Sequence, residues 1–408
     1  MKKLSLVLLI TICFLPGLRA GQKVRLQFRV PEVINGDTVK ALNYTNPNLK
    51  KIFQTIYKKI NTNISTDTVY NLFIPKTVKQ IDDDVLHSRF FSSIDSVIVD
   101  ENNPNFSSQL GILYDKHKTA LLYCPPYKVG EVIFPSTLKE LNAYSFLGCA
   151  FVTSLILNDS VKINNIVSLR FCKKLSRLEV SANSPYYSSL DGVLYNKEQT
   201  KAICFPLDMQ NDIHIPSTIK EIERLFPVVE MEESIISYGK NITIYIPSTV
   251  KIVHDNAFKG CEATIKIPRE NSIQTIGDGA FAETKIDSIT LDSIKYIGHS
   301  AFYKSSLKSV VITSDSLKTI WIAAFRDCSN LTSITLPKSD ALIVWEALAS
   351  PFQVLTVGWH KPFKTSKKDY VFGKTDLSQC TLRVPKGTRR AYRKAPVWKD
   401  FGHIVEVE

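Results

Sequence analysis

Seven histidines are the first places to look for acid–base or metal chemistry: His87, His117, His214, His254, His299, His360 and His403. A helical metal site sets two histidines at i and i+4, and no pair here has that spacing or the H-E-x-x-H pattern. His254 and His299 instead fill turn positions held elsewhere by Gly277 or Asp278. The chain also lacks G-x-S-x-G for a serine nucleophile, and a P-loop or G-x-G-x-x-G for phosphates. Gly277-Asp278-Gly279 is half of such a glycine motif, and Glu232-Glu233 is a carboxylate pair in an acidic connector with no catalytic companion. Among the cysteines there is no C-x-x-C. Cys149, Cys261 and Cys328 each follow a Phe by three residues, which makes them small apolar residues of one recurring position. No catalytic, cofactor-binding or metal-ligating residue is expected.

The recurrence itself is the stronger signal. Phe258, Phe281, Phe302 and Phe325 are 23, 21 and 23 residues apart, each preceded by Ala. About ten residues after each comes a short alternating run such as Ser288-Ile289-Thr290-Leu291, often closed by Pro. Alternation by two is the mark of a strand with one buried face. A fixed period in this range indicates a solenoid, whose units bury their apolar faces only against one another. Stacking would align the strands into a parallel sheet and the Phe rings into an internal ladder.

The pattern I-x-x-I-x-x-x-A-F-x-x-C/S-x-x-L-x-S-I-x-I-P resembles the leucine-rich repeat of BspA-like proteins, found in Bacteroidetes and some protists. The resemblance runs from about Leu72 to the C-terminus. Its most specific part is the ending: Cys380 to Thr388, Tyr392, Ala395 to Phe401, and Ile404-Val405-Glu406. The family implies a non-catalytic surface or secreted binding protein and supplies no catalytic motif. The expected fold is an α/β repeat solenoid, a leucine-rich repeat array with short parallel strands, two inserted hairpin elements, and N- and C-terminal caps.

Residues 1–20 read as a signal peptide: Lys2-Lys3, an apolar Leu4–Leu15 and a small-residue exit at Ala20. That run is too short to span a membrane and no later run is longer, so no transmembrane segment is expected. The net charge of +12 falls to about +9 without the three basic residues of this leader. The basic residues read as scattered. Their densest cluster, Arg389, Arg390, Arg393 and Lys394, reads as a solvated helix face, and no nucleic-acid partner is expected.

Residues 21–70 are read as an N-terminal cap, with helical periodicity over Asn48–Ile60; an amphipathic membrane helix is the other reading of that stretch. Residues 71–338 hold the repeats, with inserts near 100–130 and 181–211. These inserts are duplicates: Val99–Tyr114 matches Val180–Tyr195 at an offset of 81 that also holds for Pro125/Pro206. Their Leu-Tyr runs and polar turns read as hairpins projecting from the solenoid. Residues 339–408 are read as final irregular repeats and a C-terminal cap, in which Trp359 is either a core tryptophan or a ligand platform.

Strand register maps a surface. If the residues one and three before each Pro position are buried, the residue two before points outward. That row begins Phe73, Ile98, Tyr123, Ile133, Ile156, all apolar or aromatic, and later becomes mostly polar around Tyr245. Phe73, Ile98, Tyr123, Ile133, Ile156 and Tyr245 are therefore the candidate binding surface. Either a partner binds the N-terminal part of this sheet, or the hairpins and cap cover it. The expected partner is a host or envelope protein, or a glycan. A structural envelope protein and an accessory protein for polysaccharide capture are the alternatives.

Overall fold

The computed structural model describes residues 10–12, 24–34, 37–43, 68–86, 91, 94–141, 144–163, 169, 172–223, 239–363 and 370–408. The chain divides into two compact units, Met1–Pro185 and Tyr186–Glu408. The expectations for the leader (apart from residues 10–12), for the Asn48–Ile60 helix and for Glu232-Glu233 lie outside the described residues.

In the second unit the chain coils once per repeat. One side of each coil is a strand of two to five residues. Ser288–Leu291, Ser309–Ile312, Ser333–Leu336, Val354–Val357, Thr381–Pro385 and His403–Val407 form one parallel sheet in that order. Ile213–His214, Thr243–Tyr245 and Thr264–Lys266 pair likewise. The other side carries two-residue strands, Glu221–Ile222, Ile252–Val253, Thr275–Ile276, Tyr296–Ile297, Thr319–Ile320 and Leu342–Ile343, all parallel.

Between the two sheets, the Ala-Phe segments form a third stack. Phe258 N–H donates to Ala280 O at 2.8 Å, Phe281 N–H to Ala301 O at 2.7 Å, and Phe302 N–H to Ala324 O at 2.8 Å. These bonds hold the buried rings in register. Centroid separations are 5.4, 5.3 and 5.1 Å from Phe258 through Phe325, with the planes within 11° of parallel. Two residues before each Phe position the backbone is left-handed: Asn256, Gly279, Ser300 and Ala323 have φ of 54°, 61°, 53° and 55°. Only one of the four is glycine, so the inter-repeat bonds hold the others in a region that side chains disfavour. Gly277 serves close approach instead: a Cβ there would lie 2.4 Å from Asp255 Oδ1.

The α/β description does not hold. Among the described residues α-helix is confined to Asp83–Leu86 and Arg389–Lys394. The segments between strands are too short to pass helix nucleation, and bonds to the next repeat satisfy their backbone groups instead. The fold is a parallel β-solenoid with very little helix.

In the first unit, Ile10–Ile12 runs antiparallel to Val24–Arg29, and Thr68–Ile74 and Ile94–Val99 follow in parallel. Gly130–Ile133, Val152–Leu157 and Arg177–Val180 form a second parallel sheet. Residues of the duplicated insert, Phe106–Gln109, Ile112–Asp115 and Ala120–Tyr123, pair antiparallel. They do not hang free. Ala120–Tyr123 continues in parallel into Glu140–Leu141 and Lys162–Ile163. In the second unit Tyr187–Leu190, Val193–Asn196 and Lys201–Cys204 enter the two-residue sheet in the same way.

Candidate binding surfaces

The first unit's sheets align the expected outward row. Phe73 pairs with Ile98, and Ile133 with Ile156, which in turn pairs with Glu179. Alternation buries Leu72, Ile74, Val132 and Leu155 and turns the row toward solvent. Ile98 is 39% exposed and Ile133 50%. Phe73 and Ile156 are half-buried, and the Arg29 guanidinium lies 4.4 Å over the Phe73 ring. Beyond Ile156 the surface becomes charged: Arg177 pairs with Glu131 at 2.9 Å and with Glu179 at 3.3 Å.

Tyr123 is a correction. It is 3% exposed, its hydroxyl donates to Phe91 O at 2.5 Å, and its ring meets Phe91 edge-on at 5.2 Å. Burial pushes its phenol well above the ordinary tyrosine value. The outward rule assumes a strand of the long-strand sheet. Ala120–Tyr123 belongs instead to the antiparallel insert, with a register shift at Leu113/Tyr114. Cys204, at the duplicate position, is buried for the same reason.

A residue the row did not include is exposed beside it. The insert's turn lies beside Ile94–Val99: Val97 N–H donates to Gly111 O at 2.8 Å, and Val99 N–H to Ser108 Oγ at 3.0 Å. Lys128 Nζ reaches Leu110 O at 2.8 Å. Leu110 stands 63% exposed at this turn with φ 51°, followed by Gly111 at 82°. Two positive φ values describe a turn that favours Asn-Gly or Asp-Gly. The duplicate obeys, with Asp191 at 51° and Gly192 at 80°. The mismatch between Gln109-Leu110-Gly111 and Leu190-Asp191-Gly192 was the available sequence signal.

In the second unit Tyr245 is exposed, and its ring stacks on His214 at 4.4 Å and 7°. Lys266 follows it in the ladder, so this tyrosine is bordered by polar groups. Trp359 is a core residue: it is buried and its Nε1 donates to Ser339 O at 2.7 Å.

The histidines are dispersed, and His254 Nε2 lies 3.1 Å from Glu221 Oε2 at the surface. Among the described residues no group of three or more His, Cys, Asp or Glu is placed to hold a metal ion. A cleft of about 580 Å³ near the C-terminus is lined by Arg326, Asp327, Glu346, Lys374, Asp376 and Gln379, among others. Arg326 is committed there to Glu346 at 2.7 Å and to Asp327 at 3.5 Å. No helix among the described residues is long and apolar enough to cross a membrane.

Comparison with known proteins agrees with this geometry. The profile of the BspA type leucine rich repeat region matches six copies, over residues 126–211 and 230–350. No curated protein matches the chain. Among solved structures, the pneumococcal vaccine antigen PcpA is 15% identical with a TM-score of 0.52, over 96% of this chain and 91% of that one. A leucine-rich repeat protein from Eubacterium ventriosum is 18% identical with a TM-score of 0.47, over 94% and 88%. A leucine rich cell surface protein from Faecalibacterium prausnitzii is 14% identical with a TM-score of 0.36, over 96% and 92%. The likeness to PcpA is one of fold.

Proposed function

Because the chain belongs to the BspA type leucine-rich repeat family, we propose that it is a non-catalytic, exported binding protein whose first unit presents a rigid sheet face to a protein partner. Export rests on the charged start, apolar core and small-residue exit of residues 1–20. The apolar face carries the binding reading. Ile98 and Ile133, on the first unit's two parallel sheets, and Leu110, at the insert turn beside Ile94–Val99, are all exposed, and the ion pairs of Arg177 with Glu131 and Glu179 form a polar margin. Apolar centre and polar rim are the anatomy of a protein interface.

Leu110 adds a separate reason. A leucine in the left-handed region costs about 1–2 kcal/mol, and Asn or Asp relieves it. Holding an exposed leucine there is unfavourable for folding, so contact with a partner is the compensating use. The expected result for Leu110→Asn is a gain of about 1 kcal/mol in unfolding free energy, from the relief of that backbone strain. Partner affinity should fall at least tenfold. Urea titration reads the first effect and surface plasmon resonance the second. A variant that is stabilised yet binds as before would remove Leu110 from the interface.

A further inference from the structure

The second unit's two-residue strands carry a second surface, independent of the reading above. The residue just ahead of each strand is Lys220, Lys251, Gln274, Lys295 and Lys318 in turn. The backbone joins them in one column. Lys251 N–H donates to Lys220 O at 2.7 Å, and the Gln274, Lys295 and Lys318 N–H groups each donate to the preceding member at 2.8 Å. Adjacent members are therefore about 4.8 Å apart. Like charges in register weaken a sheet. Lys220 Nζ reaches only Ser217 O at 3.5 Å, and Lys295 Nζ reaches Gln274 Oε1 at 3.1 Å. Among the described residues no carboxylate forms an ion pair with any of the four lysines. Such a column asks for an anion whose charges repeat at the same interval.

A different observation says what kind of anion. The same coils carry exposed aromatic residues: Tyr296, the first residue of its strand, is 42% exposed, and Trp321, the residue that follows Thr319–Ile320, is 46% exposed. Tyr296 is paired with Thr319, and Trp321 lies two residues beyond Thr319, so the two aromatic residues are about 8 Å apart at their Cα atoms. Exposed aromatic rings offer flat apolar faces beside hydrogen-bonding edges. The C–H face of a pyranose ring fits such a platform. The length of one pyranose in an extended chain is close to the spacing between strands, so carboxylates along the chain recur at multiples of that spacing, as Lys251, Lys295 and Lys318 do. The phosphates of a single nucleic-acid strand are spaced more widely and fall out of step.

We propose that the short-strand face of the second unit binds a linear acidic polysaccharide that carries uronate carboxylates along its length. The chain lies across the strands. Its sugars stack on Tyr296 and Trp321, and its carboxylates pair with Lys251, Lys295 and Lys318 through charge-assisted hydrogen bonds.

The test uses the full chain, with polygalacturonate as the probe in isothermal titration at low salt. Fully methyl-esterified polygalacturonate and poly(dT) serve as comparison probes. The expected result is binding of polygalacturonate that falls at least tenfold in Lys251→Gln/Lys295→Gln/Lys318→Gln. It should fall at least tenfold again in a separate Trp321→Ala variant, with circular dichroism unchanged in both. The ester and poly(dT) bind at least tenfold more weakly. Polygalacturonate binding is unaffected by Ile98→Ser/Ile133→Ser/Ile156→Ser, which separates this site from the first unit's face. Absence of polygalacturonate binding would overturn the proposal, as would unchanged affinity in either second-unit variant. Poly(dT) bound as tightly would do the same, by showing a general polyanion surface.

Discussion

Replacing Phe281 with Ala is expected to destabilise the second unit by about 3–5 kcal/mol, the usual cost of emptying a large core position. Phe281 is fully buried between Phe258 at 5.4 Å and Phe302 at 5.3 Å. Its backbone and that of Phe258 bond to neighbouring coils, so the two sides cannot collapse into the void without breaking those bonds. Each coil is stable only through its neighbours, and the loss is therefore felt on both sides of the gap. Urea denaturation followed by circular dichroism measures it. Phe281→Leu, which fills most of the volume but cannot stack, should lose much less. A loss below about 1 kcal/mol for the Ala variant would mean that the ladder relaxes freely, against the close packing of cores.

The second large effect is expected at Trp398. Its indole is fully buried and meets Phe363 at 5.1 Å, Tyr392 at 5.5 Å, Phe372 at 5.8 Å, Trp359 at 6.0 Å and Phe401 at 6.1 Å. Its Nε1 donates to Phe363 O at 3.2 Å. Trp398→Ala should again cost about 3–5 kcal/mol. The loss should be concentrated at the end of the sheet, so amides of His403–Val407 should exchange faster than those of Ser288–Leu291. Trp398→Phe keeps most of the packing and forfeits the hydrogen bond, a loss of about 1–3 kcal/mol if the carbonyl stays unpaired. Uniform acceleration of exchange across both strands would show that the aromatic cluster does not act locally.

Much of the fold could be read from the residues because the physics repeats. Phe258 to Phe325 recur at nearly constant spacing, so a ring ladder followed once stacking was assumed. The alternating runs fixed which face of each long strand is buried, and Ile98 and Ile133 stand where that rule puts them. Other features had no local signature. A two-residue strand such as Tyr296–Ile297 shows no period, so the second sheet has no signature in the sequence and the array reads as α/β. Tyr123 failed because two sheets share the chain and the rule was written for one of them. Lys220, Lys251, Lys295 and Lys318 are widely separated in sequence and read as part of a scattered basic balance. Their column exists only once the coils are stacked.

The central claim is that the first unit's outward row is a contact surface for a protein. It is tested most directly by presenting the full chain and its Ile98→Ser/Ile133→Ser/Ile156→Ser variant to an array of purified extracellular matrix and envelope proteins. Circular dichroism and thermal melting accompany both. The predicted result is that the unaltered chain captures at least one of these proteins, and that the variant, still folded, loses at least tenfold in affinity for it. A folded variant that binds every captured protein as tightly as the unaltered chain would contradict the claim, and so would an unaltered chain that captures none of them.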